Sequence, residues 1–361
     1  MKVGHVVHKW LSPSETFIFS QVKNAKRYDP IILATETTQR FPEAKIYSLA
    51  AAERIGFKLF GVSKTLQSAI EHEEIGILHS HFGMAGRAVL TVKKKAAIPM
   101  ITSFYGYDCY SFPQKKPDGY NALFNEGELF LALGKRMKEH LISLGCHERK
   151  IKIHHLGVKN EKYVRRKNKS KIVFLSIARF VEKKGLEYAI KAFLDVRKNV
   201  DCELRLVGNG PLAKKLKCLA AGHPDMKFID NFSSQDPREV VRNEMLSADV
   251  FVLPSVTASN GDMEGTPVTL MEASALSLPC ISTFHSDIPE IVDNGKTGYL
   301  VAEKNVNELA QRMKELALDA KKRAAFGRAA NRKIAGEFNE KIQAGKLEKL
   351  YDSVLRVRHY S

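Results

Sequence analysis

Short apolar runs recur along the chain and alternate with longer stretches in which apolar residues return at helical spacing. Residues 2–7, 30–34, 76–79, 99–104, 129–133 and 151–156 have the length and composition of buried strands. Between them, residues 51–70 and 84–96 show the period of helices. Residues 157–171 (GVKNEKYVRRKNKSK) are polar and charged with no apolar period, and so predict a linker. The alternation then resumes, with strand-like runs at 172–177, 203–207, 227–229, 250–253, 279–282 and 298–301. From about Asn305 the chain turns helix-forming, at 309–316, 321–338 and 340–357. Strands alternating with helices predict an α/β protein with two parallel, doubly wound sheets, one in residues 1–158 and one in 159–339.

Candidate chemistry collects where strands give way to helices. In 260–275 (NGDMEGTPVTLMEASA), Gly265 and Thr266 form a tight lead-in, Pro267 suits a first helical position, and Val268, Leu270 and Met271 begin an apolar face. Glu264 then precedes a helix and Glu272 lies inside it. Eight residues of helix rise roughly 12 Å, too far for the carboxylates to share one metal or one proton but suited to gripping two parts of an extended ligand. The free N–H groups of Gly265, Thr266 and Val268 suit oxyanions or sugar hydroxyls. On spacing alone, Glu264 as a surface acid and Glu272 as a dipole partner fit equally well. Ser14 is the cap expected for a second such helix, directly after the first strand, where doubly wound folds receive phosphates. His79 and His81 follow the strand at 76–79, and Tyr105, Gly106 and Asp108 follow the one at 99–104. His81 is read either as a loop-pinning histidine or as an acceptor-site group. The turn at 208–210 (GNG) is equally a plain strand-to-helix turn or a nucleotide contact.

With 361 residues, 44% of them apolar, the chain can bury two cores of ordinary size. Its formal charge of +17 favours polyanions in general. A nucleic-acid binder is one reading of that charge; against it, the basic residues are spread out and form no recognition-helix, zinc-finger or basic-aromatic pattern. Five scattered cysteines, Cys109, Cys146, Cys202, Cys218 and Cys280, indicate neither a disulfide framework nor a zinc site and suit a reducing cytosol. The start, MKVGHVVHKW, carries no secretion signal, and no run of about 18 apolar residues occurs, so a cytoplasmic protein without a membrane span is expected.

The Glu264/Glu272 segment resembles the Glu-x7-Glu motif of retaining glycosyltransferase family 4. Three further stretches fall in that family's order: 176–185 (SIARFVEKKG), 206–211 (LVGNGP) and 246–254 (LSADVFVLP). The string DMEGTPVTLMEA, with SETFI at 14–18 and HSHFG at 79–83, is similar to a subgroup that builds bacterial exopolysaccharide of the colanic-acid type. The resemblance implies a GT-B fold: two Rossmann-like domains facing a cleft, with a last helix, about 340–361, crossing back to the first domain. It implies hexosyl transfer with retention from a nucleotide-diphosphate sugar, most commonly a UDP-sugar, to a glycan acceptor carried on a lipid diphosphate. Arg179 and Lys184 match the family's diphosphate clamp, with Lys183 a solvated neighbour. Glu264, Gly265, Thr266, Pro267 and Val268 would hold the donor hexose, Glu272 the ribose, and the backbone near Asn231 the base. Ser14, His81, Tyr105 and Asp108 would face the acceptor or sugar; relatives often have Gly-Gly near Ser14 and a histidine at position 105. No metal or cofactor is expected, since the chain has no Asp-x-Asp motif. Basic clusters at 93–95, at Lys135, Arg136 and Lys138, and at 165–167 are candidates for contact with an anionic inner leaflet. A GT-B enzyme making a small soluble glycoside is the alternative.

Overall fold

The computed structural model describes residues 1–10, 16–37, 44–162, 171–230 and 236–357. Ser14, Asn231 and the cluster at 165–167 lie outside them. The chain divides into two compact units, Met1–Gly157 with Glu340–Ser361, and Val158–Asn339.

In the first unit, β1 (Lys2–Trp10), β2 (Asp29–Thr37), β3 (Lys45–Ser48), β4 (Ile75–His81), β5 (Met100–Ser103), β6 (Leu129–Ala132) and β7 (Ile151–Ile153) form one parallel sheet in the order β3-β2-β1-β4-β5-β6-β7. The central strands are buried along their length, which is why they read as continuous apolar runs. Edge strand β3 (KIYS) is half exposed and polar at both ends, so no apolar run announces it. The helix expected over 51–70 is two, Ala51–Phe60 and Lys64–His72: Gly61, at φ +63°, closes the first, and Ser63 Oγ accepts Leu66 N–H to cap the second. The stretch 84–96 likewise divides into Gly83–Ala88 and Leu90–Ala96.

Helix Glu340–Val357 packs on this sheet. Leu347 and Tyr351 are fully buried among Val3, Ile77, Ile101, Leu129 and Leu131. Glu348 accepts the backbone N–H groups of Lys26 and Arg27 at 2.6 and 2.7 Å, which fixes the helix against the β1–β2 connection.

In the second unit, β8 (Ile172–Ile177), β9 (Cys202–Val207), β10 (Met226–Ile229), β11 (Val250–Val252), β12 (Cys280–Thr283) and β13 (Gly298–Val301) form a parallel sheet in the order β10-β9-β8-β11-β12-β13. The chain leaves β8 towards β10 on one side and runs from β11 to β13 on the other. The order therefore reverses between β8 and β11, and the loops leaving these two strands part there, opening the crevice where doubly wound sheets take ligands.

Candidate active site

The loop after β8 carries Arg179, Lys183 and Lys184, and the loop after β11 carries Glu264. Several bonds lock them together. Val256 N–H donates to Lys183 O at 2.9 Å, and Ser259 N–H to Glu182 Oε1 at 2.9 Å. Gly185, at φ +62°, ends the short 3-10 turn Glu182–Lys184; a Cβ there would lie 1.8 Å from Pro254 O, so only glycine lets the two loops meet. The GNG turn serves the same assembly. Phe180 N–H donates to Asn209 O at 2.8 Å, and Gly208 passes so close to Ala178 O that a Cβ would stand 2.0 Å away.

Glu264 is 4% exposed and its carboxylate is held from two sides: Lys184 Nζ is 2.7 Å from Oε1, and Ser255 Oγ donates to the same oxygen at 3.2 Å. Burial alone would raise its pKa. The charges of Lys184 and Lys183 and the Lys184 hydrogen bond bring it below the ordinary value instead, so the buried group is ionised. Lys183 is not the solvated neighbour expected. It is buried, its Nζ donating to Met263 O at 3.0 Å and pairing with Asp262 at 3.0 Å. A 3-10 turn throws consecutive side chains about 120° apart, so Lys183 braces the 262–263 backbone while Lys184 reaches the carboxylate. Arg179 is exposed, and its guanidinium meets no partner among the described residues.

Helix Val268–Ala275 begins one residue later than expected, with Pro267 as its N-cap. Before it, Gly265, Thr266 and Pro267 are buried, yet the N–H groups of Gly265, Thr266 and Val268 make no hydrogen bond to a described residue. Thr266 Oγ1 is also buried and unpartnered. Buried polar groups without partners are uncommon in folded proteins and here mark a cradle for a polar ligand. Glu272 keeps part of its side chain accessible, but the surrounding protein desolvates the carboxyl and pushes it up to about 7, with Arg238 pulling the other way.

An exposed, anion-binding Arg179 on the loop that carries Lys184, with a cradle of free donors and an ionised glutamate, is the chemistry of a phosphorylated polar ligand. The family described as glycosyl transferases group 1 matches residues 158–333. WcaL of Salmonella typhimurium, named for colanic acid biosynthesis, is 33% identical over 285 residues, 76% of this chain and 70% of that protein. The chain belongs to the group 1 glycosyl transferases. The amylovoran biosynthesis glycosyltransferase AmsK of Erwinia amylovora is similarly related, at 33% identity over 281 residues, 75% of this chain and 69% of that one. Among solved structures, Anabaena Alr3699/HepE in complex with UDP and glucose superposes with a TM-score of 0.78 at 14% identity, over 98% of this chain and 100% of that one. The fold is GT-B.

In this glycosyltransferase the residues expected on the acceptor side turn largely inward. Asp108 is fully buried and accepts the N–H groups of Gly83, Tyr105 and Gly106 at 2.9, 3.0 and 3.0 Å; it clamps its own loop instead of facing a sugar. Tyr105 is buried against Phe17 and Phe82, and its hydroxyl lies 2.7 Å from His81 Nδ1. His81 Nε2 in turn meets His5 Nδ1 at 3.1 Å, and His79 bonds Tyr351 OH and Ser103 Oγ, both at 2.8 Å. Ligating atoms of these three histidines fall within 4.8 Å of one another. Burial holds all three below the ordinary histidine range, neutral, in two hydrogen-bonded sets: His81 ties β4 to His5 of β1, and His79 ties it to Ser103 of β5 and Tyr351 of the last helix. His81 is buried and bonded through both ring nitrogens, the geometry of a pinning group. The basic clusters are also largely neutralised: Lys93 is buried on Glu128, Lys94 pairs with Glu126 and Lys138 with Glu148.

One residue pair escaped the sequence reading. His285 Nε2 accepts the Glu264 N–H at 3.1 Å, its Nδ1 lies 2.6 Å from Glu303 Oε1, and Glu303 Oε2 accepts Thr257 N–H at 2.8 Å. With Nε2 accepting, Nδ1 carries the proton and donates it to Glu303. Ser286 Oγ donates to Glu264 O at 2.8 Å and completes the grip on that backbone. The four-residue spacing of acid and base that flags a helical pair is absent, because these groups sit in loops after β12 and β13.

Proposed function

We propose that this chain transfers a hexosyl residue from a UDP-sugar, with retention at the anomeric carbon, to a lipid-diphosphate-linked glycan in the building of a bacterial surface or exopolysaccharide. One observation carries the reading: at the switch point of the second sheet, the Lys184–Glu264 pair stands with unbonded Gly265, Thr266 and Val268 N–H groups, and the loop that supplies Lys184 also carries exposed Arg179. The names of the relatives and the bound UDP and glucose of the structural neighbour support it.

In this reading Arg179 and Lys184 bind the diphosphate and stabilise the charge it gains as the glycosidic C–O bond breaks. The free N–H groups and Thr266 hold the hexose hydroxyls, and Glu264, fixed by Ser255, Lys184 and His285, holds the ring in the reacting pose. Glu272 accepts from the ribose hydroxyls. The departing phosphate oxygen takes the proton of the acceptor hydroxyl on the face from which it leaves, and the new C–O bond forms there. Catalysis is positioning and charge stabilisation by the chain's own cations, with no divalent metal or resident cofactor.

The test is thermal stabilisation by a panel of UDP-, GDP- and ADP-sugars, with and without Mg²⁺. A shift with UDP-sugars that needs no metal and is lost in Arg179→Ala is the expected result. A GDP-sugar response replaces the donor, and no response to any nucleotide overturns the site. Recovery of product only from water-soluble glycosides would overturn the lipid-linked acceptor.

A further inference from the structure

Helix Ala51–Phe60 is mounted with its apolar stripe outward. It buries only Phe57, while Ile55, Leu59 and Phe60 stand 66, 68 and 72% exposed and Val62, in the following turn, 41%. Ala52, Ile55 and Leu59 fall on one line of the helix surface, so these side chains form a contiguous ridge. An ordinary surface helix buries such a stripe.

Positive charge prevails around the ridge. Glu53 keeps its charge but is turned onto Ser63 and Thr65, and Glu36 pairs with Arg54. Lys58 in the helix, Lys64 opening the next one and Lys95 meet no carboxylate among the described residues. Lys95 borders the same depression as Val62 and Lys64, and Thr91 Oγ1 donates to Phe60 O at 3.4 Å, so helix Leu90–Ala96 flanks the exposed end of the ridge.

We propose that this face is where the protein lies on an anionic lipid surface, with Ile55, Leu59, Phe60 and Val62 entering the acyl boundary and Lys58, Lys64 and Lys95 at the level of the lipid phosphates. Charge decides the occupant. A second copy docked face to face would bring the same three cations against each other, whereas an anionic bilayer satisfies the ridge and the cations together. Of the basic cluster at 93–95 only Lys95 takes part, since Lys93 and Lys94 already have carboxylate partners, as has Lys138 in the cluster at 135–138. This inference goes beyond the transferase reading and does not rest on it, because no sugar donor enters its test.

The experiment is flotation of the full chain with vesicles of phosphatidylcholine alone and of phosphatidylcholine with phosphatidylglycerol, at low and high salt. Binding to the anionic vesicles that weakens with salt is expected. The double substitution Leu59→Ser/Phe60→Ser should lower partitioning at least about tenfold. Both side chains support no core, so the variant folds; an unchanged melting temperature verifies this. Lys58→Glu/Lys64→Glu should abolish the preference for anionic vesicles. The proposal is overturned if wild type ignores anionic vesicles, if Leu59→Ser/Phe60→Ser binds them as wild type does, or if wild type is a dimer that this variant converts to monomer.

Discussion

Glu272 provides the sharpest quantitative test. Its carboxyl is pushed up to about 7 from an ordinary 4.5 because the surrounding protein desolvates it and only Arg238 offers partial compensation. A carboxyl whose folded pKa is raised keeps its proton longer in the native protein than in the unfolded chain. Its contribution is therefore fully favourable below about pH 4.5, is lost as pH rises towards 7, and stays lost above that. The gap between 4.5 and about 7, at about 1.4 kcal/mol per pH unit, is ~3 kcal/mol. Partial accessibility of the side chain and solvent screening reduce this to ~1–2 kcal/mol. Glu272→Gln keeps the shape and removes the titration. At pH 8 the variant should melt roughly 2–8 °C above wild type, given 2–4 °C per kcal/mol for a unit of this size, and the difference should shrink to about a quarter of that at pH 5. Differential scanning fluorimetry across pH 5–8 reads it. The ligand arm has the opposite sign: wild type should gain more from UDP-sugar at pH 8 than at pH 6, because only the carboxylate accepts from both ribose hydroxyls, and the variant should show no such slope. A stability difference that does not change with pH would refute the desolvation argument. A nucleotide response as large in Glu272→Gln as in wild type at pH 8 would remove Glu272 from the donor site.

Glu264→Gln should lower kcat by about 10²–10³ while leaving UDP-induced stabilisation largely intact, because in the proposed reading it removes the charge at the transferred sugar and not the diphosphate clamp; near-wild-type turnover would sink that role. The His285 and Glu264 coupling is tested by a pair of substitutions. His285→Gln can still accept the Glu264 N–H and should retain most turnover, whereas His285→Asn keeps only the bond to Glu303 and should lose about tenfold or more in kcat with little change in donor KM; the reverse order in steady-state kinetics would show that Glu303, not Glu264, is what His285 serves. Gly185→Ala places a Cβ 1.8 Å from Pro254 O at φ +62° and should destabilise the second unit by at least about 3 kcal/mol, read as a lowered denaturation midpoint; a wild-type midpoint would mean that the two loops separate freely.

What local pattern could determine, it did. Strands buried on both faces are unbroken apolar runs, so the alternation that specifies two parallel sheets was legible, as was the order of Arg179, Lys184, Glu264 and Glu272 along the chain. Edge strand β3 was illegible because an edge has little to bury, and the break at Gly61 because a helical period continues through a single left-handed residue. The chemistry of individual side chains belongs to tertiary structure. Lys183 and Lys184 are adjacent in sequence and differ only in which way a 3-10 turn points them, one into the 262–263 backbone and one at Glu264. Asp108 looks like a site acid until three backbone N–H groups close on it, and His285 reaches Glu264 only because β11 and β12 are neighbours. Periodicity reports what each residue does to its own few neighbours in the chain. The site is made by loops from separate strands, which a parallel sheet delivers to one edge, and that convergence fixes burial, partners and protonation.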